Sequence, residues 1–545
     1  MAPLITTHGY FYGHDTAFHA QSIADMEQTD FFDTFNVHIM SDTNHGVGYG
    51  AGIFYPQLSH QVAVLFFRII KPLGGSVYTA MKITHYLGIF LSSITIYVLM
   101  KRITKNKTVS VLTAFCYMTF PYHVGDILIR DAFSESYFFI FLPLVFLGLH
   151  ELLNKKYHRF LIYFCIGYIG LINSHLALAF YLTIFLFIIS LFFFKQVYNL
   201  KTIKYLLISF VVVGAIVSPF IIGIAQNMLS GTKYVFSTSG MMLNSPAVVN
   251  GSRLNLADYI IPEIKAGDKE AYKNVPSWLN ILAAILAALT IINYKKIVNK
   301  DNKFIIKSSI IAVFLCIFLS TEFMHWSIVP QIFRNIQFPW RLNTILVFAI
   351  SILAGFSLIY YKVNKDYALM LLFIMSCLLS ANSVQRIQTY GQSFGISDYS
   401  YKDYYPAVMY DATDDEVAAR SDLGAIVING YADIGDYQNH KRDGVSFNVS
   451  NISSCVTTIE IPRLYYVGYT IIGKTSDGAS EKISYHMSDD GYIAFDIDKS
   501  YTDISVTYTN TVIGNISRVI SGIGLTIFCG YIIYYSFKDK IHAII

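Results

Sequence analysis

The residues best able to do chemistry in this chain are gathered into three short polar stretches set among long apolar runs. The first, GYFYGHDTAFHAQSIADM followed by GVGYGAGIFYP, lies between Gly9 and Pro56. Together with the residues between its two parts it carries His14, Asp15, His19, Asp25, Glu27, His38, Asp42 and His45. The second, PYHVGDILIRDAFSES, holds His123, Asp126, Arg130, Asp131 and Glu135. The third, STEFMHWSIVPQIFRNIQFPWRL, holds Glu322, His325, Arg334, Trp340 and Arg341. Asp15 is the most informative of these. A carboxylate with a reference pKa of about 3.9 is ionised near neutrality and can act as a general base, a role worth roughly 10²–10⁴-fold in rate. Following a Gly-His pair and preceding TAFHAQSIADM, it also suits a helix N-cap, and the two roles are compatible. His14 and His19 show no recognised metal-ligand spacing, so exposed or hydrogen-bonded histidines are the simpler expectation.

The second stretch alternates sign within ten residues. An Asp or Arg at the bilayer centre costs about 2.5–3.5 kcal/mol, so several together must sit at the interface or line a wet cavity. One reading makes Arg130 a phosphate fork, with Asp126 or Glu135 orienting an acceptor hydroxyl or a metal. The other makes the group a self-satisfied ion-pair network that caps helix ends. Arg341, after the Trp of FPW, fits simple anchoring at the interface. In the sharper reading it grips a lipid phosphate together with Arg334. Lys82 and His85 are weaker candidates for the same task.

The elements that must position these residues are membrane helices. The chain is 54% hydrophobic and 14% charged, whereas soluble domains carry about 25% charged residues. The net charge of +4 is spread over short basic loops and speaks for orientation rather than nucleic-acid binding. Apolar runs predict about eleven spans, at 77–100, 107–122, 136–152, 160–173, 176–194, 205–228, 277–294, 304–321, 341–361, 366–383 and 511–535. HQVAVLFFRIIKPL, from His60, reads as an amphipathic helix at the interface. Basic clusters at 101–107, 155–159, 195–204, 295–307, 362–365 and 538–540 mark one side as cytoplasmic. Basic flanks on both sides of 160–194 require a hairpin with its apex at Asn173-Ser174-His175, since one helix of that length would run roughly 50 Å. This counting places the N-terminal stretch outside and predicts a further span ahead of it, missing from the chain.

Domain boundaries follow: 1–59 as a first extracytoplasmic loop, 60–383 as the multi-span domain, 384–510 as an extracytoplasmic domain, and 511–545 as the last span with a cytoplasmic tail. VSFNVSN, TTIEIP, YTIIG, KISYHMS, YIAFDI and ISVTYT alternate apolar and polar residues between turn residues, which predicts an antiparallel sandwich-like β-domain over 384–510. Five of the six cysteines lie in apolar runs, leaving Cys455 without an intramolecular partner in the polar region.

GHDTAFH, the Gly-Tyr-Gly run ending GIFYP, PYHVGDILIRDAFSE, the Ser-His of the hairpin apex, QFPWR and IPRLYYVGY together resemble a family of bacterial polytopic proteins. They carry the label 6-pyruvoyl-tetrahydropterin synthase-related and are similar to YfhO-like proteins. The resemblance implies a GT-C-like fold in the bacterial cell membrane and an acidic residue in the first external loop, here Asp15. It implies no pterin chemistry. Members normally have a span before this motif, which this chain lacks.

Taken together, the expectation is an inverting glycosyltransferase that moves a sugar from a polyprenyl-phosphate donor to an extracytoplasmic acceptor, a cell-envelope glycopolymer or glycolipid. Asp15 is the catalytic candidate. His19, Lys82, Asp126, Arg130, Glu135, His175 and Arg341 are the substrate-binding candidates. Membrane lipids are the other expected partners and nucleic acid is not. No cofactor is indicated with certainty, and a divalent metal is left open. The rival class is a non-enzymatic transporter or flippase, or an assembly partner, for lipid-linked wall sugars. Such proteins often show inverted repeats with broken helices, and no repeat is visible here.

Overall fold

The structure, a computed structural model, describes residues 13, 15–128, 130–235, 237–238, 241–242, 244–259, 280–296, 300–360, 367, 370, 374, 402–440, 444–452 and 456–544. His14, Cys455, the expected span 366–383 and the start of the predicted β-domain up to 401 lie outside these, apart from the isolated positions 367, 370 and 374.

The helices used below are α1 (Thr16–Glu27), α2 (Leu58–Ile70), α3 (Val77–Thr104), α4 (Lys107–Met118), α5 (Pro121–Leu128), α6 (Phe133–Leu153), α7 (Tyr157–Ser174), α8 (Leu176–Phe192), α9 (Leu200–Leu229), α10 (Ile281–Ile292), α11 (Lys300–Ser320), α12 (Asn343–Tyr360), α13 (Asp414–Asp422) and α14 (Val512–Ile544). Among the described residues, six are long and apolar enough to cross a membrane: α3, α6, α9, α11, α12 with the turn that leads into it, and α14. The other expected spans among the described residues are shorter helices. α4 stops at Met118 because Pro121 cannot continue it and instead opens α5. α10 has 12 residues and α8 has 17.

The hairpin expected at 173–175 is present. His175 takes an extended conformation between α7 and α8, and its Nδ1 accepts the Leu178 amide at 3.3 Å. Tyr168 and Thr183, nearly equidistant from His175, are joined by their hydroxyls at 3.2 Å, as antiparallel arms require.

The polar C-terminal region forms two antiparallel sheets. Its strands are β1 (Ile426–Asn429), β2 (Asp433–Asn439), β3 (Val445–Ser450), β4 (Thr457–Leu464), β5 (Tyr469–Lys474), β6 (Ser480–Ile483), β7 (Tyr485–Met487), β8 (Tyr492–Ile497) and β9 (Tyr501–Tyr508). The sheet orders are β1-β4-β8-β7 and β2-β3-β9-β5-β6. Alternating inward residues from both sheets share one core, with Phe447 and Phe495 ring centroids 6.3 Å apart. All six alternating stretches are strands.

This sheet region is bound to the first loop. Leu464 N donates to Val47 O at 2.8 Å, Ser421 Oγ donates to His45 O at 2.7 Å, and Arg463 donates to Gly46 O. Tyr466 donates from its hydroxyl to Tyr404 O at 3.0 Å and stacks on Tyr234. Gly50 is required here, because a Cβ would lie 2.5 Å from the Tyr466 ring. The glycine-rich GYGAGIFYP and the tyrosine-rich IPRLYYVGY are thus two halves of one docking surface.

Candidate functional site

Two loops meet at one end of the helices. Gly13 sits so close to the 130–131 backbone that a Cβ would be 2.6 Å from Asp131 Cβ, which explains a glycine two residues before Asp15. Asp15 N donates to Arg130 O at 3.0 Å. Thr16 Oγ1 donates to Asp131 Oδ2 at 2.6 Å, and the other carboxylate oxygen of Asp131 meets His85 Nε2 at 2.6 Å. Asp131 holds these contacts at φ 54°, a left-handed conformation that non-glycine residues adopt only when the surroundings impose it.

Asp15 occupies the N-cap position of α1, yet its side chain makes no capping hydrogen bond. The capping reading is therefore corrected, because Thr16 and the Gly13 amide form the local turn instead, at 2.8 Å. The Asp15 carboxylate makes no hydrogen bond to a described residue. It keeps some accessible surface although protein surrounds it. Burial pushes its pKa up, and the nearby Arg130 and Arg341 pull it down.

Beside it, Arg130 donates from Nη1 to Glu135 Oε2 at 2.8 Å and to Asp126 Oδ1. Its guanidinium lies 4.5 Å from the centre of the Trp340 ring. Glu135 Oε1 also accepts from Tyr122 at 2.9 Å and from Thr344 at 3.0 Å. Arg341 Nε stands 3.6 Å from Glu135 Oε2, and its Nη1 donates to Gln337 Oε1 at 2.5 Å. Gln337, at φ 64°, is a second strained residue at the site. Arg130, Asp126 and Glu135 are almost wholly buried, while Arg341 remains partly accessible. Asp126 Oδ2, Arg341 Nε, Asn343 Nδ2 and Ser174 Oγ are buried and make no hydrogen bond to a described residue.

The sequence candidates separate on this geometry. Asp15, Arg130, Glu135, Arg341, Asp126 and His175 are brought together, the last within electrostatic reach of Arg341 and Glu135. His19 is not at the opening. It is fully buried, its Nε2 accepts the Phe133 amide at 3.4 Å, and its Nδ1 therefore donates to His60 Nε2 at 2.9 Å. Its role is to tie α1 to α2 and α6. Lys82, one turn before His85 on α3, is not part of the ion-pair network joining Asp126, Arg130, Glu135 and Arg341. Arg334 has two of its donors engaged by loop carbonyls, Nε by Asn244 O at 3.0 Å and Nη1 by Val329 O at 2.5 Å. The anchoring reading of Trp340-Arg341 is also corrected, because Trp340 is 4% exposed and stacks on Phe338 at 5.2 Å instead of facing lipid. The ion-pair reading of the second stretch holds for Arg130, whose Nη1 is taken by two carboxylates. Among the described residues, no group of three or more His, Cys, Asp or Glu side chains is arranged to hold a metal.

Two tyrosines at the site were not singled out in the sequence. Tyr55 and Tyr404 lie within electrostatic reach of Asp15 and Arg341 and keep partial exposure. Tyr404, at φ 68°, comes from the strand-rich C-terminal part and stacks on Phe54 at 5.3 Å. The Tyr of GIFYP signals the first, but nothing local in DYSYKDYYP distinguishes Tyr404 from its neighbours.

No curated protein matches this chain. Residues 2–361, which contain Asp15 and the other site candidates drawn from the sequence but not Tyr404, match the model of a family of unknown function, DUF6541, and the chain belongs to that family.

Proposed function

We propose that the protein is a membrane glycosyltransferase acting on a polyprenyl-phosphate sugar, with its site open to the extracytoplasmic face. The observation that carries the reading is a carboxylate that makes no hydrogen bond to a described residue, Asp15, beside a partly accessible arginine, Arg341. Both are held by a buried, paired scaffold. The resemblance to YfhO-like and GT-C-like proteins supports the same reading, and the topology proposed with it is the one the apolar runs and basic loops predict, about eleven spans with the β-domain outside.

In this mechanism Arg341 binds the donor phosphate, and Glu135, paired with Arg130, keeps the Arg341 side chain in place. Asp15 takes the proton of an acceptor hydroxyl. The freed oxygen attacks the anomeric carbon from the face opposite the phosphate, the bond between that carbon and the phosphate oxygen breaks, and polyprenyl phosphate leaves carrying the electron pair. Configuration inverts. The neighbourhood suits this step: desolvation raises the basicity of Asp15, and positioning with fixed charge supplies most of the acceleration. Tyr404 and Tyr55 would border the acceptor.

The test is Asp15→Asn in the native host, with envelope polymers analysed for sugar. Loss of the sugar at normal protein level is expected, while lipid-linked sugar still reaches the outer face. Full decoration would overturn the catalytic assignment, and failure of the lipid-linked sugar to reach the outer face would favour a flippase. Activity should also fall on acidification at a pH above that of an ordinary aspartate, since protonation removes the base. Arg341→Gln should lower transfer and move that limb of the residual activity higher still, because Arg341 lowers the Asp15 pKa.

A further inference from the structure

The loop after α1 ends in an aromatic tip. Phe31, Phe32 and Phe35 are 54%, 79% and 46% exposed, and Phe31 touches the other two at 5.4 and 6.0 Å between ring centres. Beside it, the end of α2 exposes Ile69 at 66% and, in the following turn, Leu73 at 84%. The two segments are fastened together. Arg68 donates to the carbonyls of Glu27 and Thr29, and Lys71 pairs with Glu27 at 2.6 Å. Neither segment is a span, so their exposed rings are not explained by crossing the membrane.

Their level in the molecule is set by two helices that can cross. His38 packs against Gly223 of α9, and Arg518 of α14 reaches the carbonyl of Asn36 at 3.4 Å. The two helices run antiparallel, with Thr511 bonded to Gln226 at 2.8 Å and Ser521 to Ile216 at 2.6 Å. Lys204 marks the opposite end of α9. From Lys204 to Gly223 a helix rises roughly 28 Å, close to the hydrocarbon thickness of about 30 Å. The tip therefore stands beside the plane where acyl chains meet headgroups, next to the bases Lys71 and Arg518, which suit lipid phosphates.

We propose that Phe31, Phe32 and Phe35, with Ile69 and Leu73, insert into the leaflet on the Asp15 side, so that α1 and the first loop are moored to lipid as well as to the helices. The ligand is the lipid surface itself. This rests on α9 and α14 crossing the bilayer and not on the glycosyltransferase reading.

The test uses the full chain in nanodiscs, with an environment-sensitive fluorophore on a single cysteine at Phe32→Cys, the other cysteines being replaced. Two controls carry the same label, one at Ser476→Cys in the β5–β6 turn and one on the native, exposed Cys529 of α14. The Phe32→Cys label should be quenched several-fold more than the Ser476→Cys label by lipid with a shallow nitroxide. The Cys529 label should respond more to a deep nitroxide. Quenching at Phe32→Cys no greater than at Ser476→Cys overturns the proposal. Blue-shifted emission without lipid quenching also overturns it, by showing that a second protein surface covers the tip. Phe35→Cys repeats the measurement should the first variant fold poorly.

Discussion

Two regions hold the first loop in place, and they do so by opposite means. Where it meets the β-sheets, contact is made by backbone hydrogen bonds, stacked tyrosines and a glycine opposite Tyr466. Where it meets α5, α6 and the turn before α12, contact is made around buried charge: Asp126, Arg130, Glu135 and Arg341, with Asp131 and His85 alongside. The first surface is explained by folding alone. The second is a poor way to build stability, since desolvating ions costs about as much as their attraction returns and apolar replacements often do as well. Charge buried at that expense, with strained residues beside it, is the contrast on which the proposed site rests.

The difference can be broken experimentally. The largest effect is expected from Glu135→Ala, which strands Arg130, Arg341 and the Tyr122 and Thr344 hydroxyls at once. A loss of about 3–5 kcal/mol, read by thermal unfolding in detergent, is expected. Glu135→Gln should lose less. Gly50→Val attacks the other surface. Its first added carbon falls 2.5 Å from the Tyr466 ring, so about 1–3 kcal/mol is expected from overpacking, together with faster proteolysis at the sheet boundary. Equal responses to the two changes would remove the contrast.

Smaller effects sharpen it. His60 is held neutral in the fold, its pKa lowered by burial from 6.5 to about 3. The unfolded chain gains the proton first, so stability falls as pH drops below 6.5, by up to about 1.4 kcal/mol per pH unit. His60→Gln, which can still accept from His19, should flatten that slope in melting curves taken between neutral and mildly acidic pH. Arg334→Ala removes bonds to two loop carbonyls and should reduce stability by about 1 kcal/mol with no change in sugar transfer. Arg341→Gln should do the reverse.

Much of this was legible in the sequence where a local pattern has one physical solution. Strand alternation from Val445 to Tyr508 predicted the sheets, and basic flanks around 160–194 predicted the hairpin at His175. Asp15 signalled the start of α1, although not that Thr16 and Gly13 would form the turn there. Helix limits were less legible at Met118, where a proline two residues past the turn divides an apolar run. The separation of Arg341 from Arg334, and of Asp15 from His19, could not be read from residue type. Each pair shares a chemistry, and only three-dimensional placement decides whose donors are already engaged. Tyr404 was hidden for the same reason, lying almost four hundred residues from Asp15.

The central claim is that Asp15 serves chemistry and not folding. Purified Asp15→Asn measures it most directly, by melting temperature in parallel with sugar transfer in cells. With no capping bond to lose and a desolvated charge removed, the variant should melt at or above the wild-type temperature while transfer disappears. A variant that melts several degrees lower and still transfers sugar would contradict the claim.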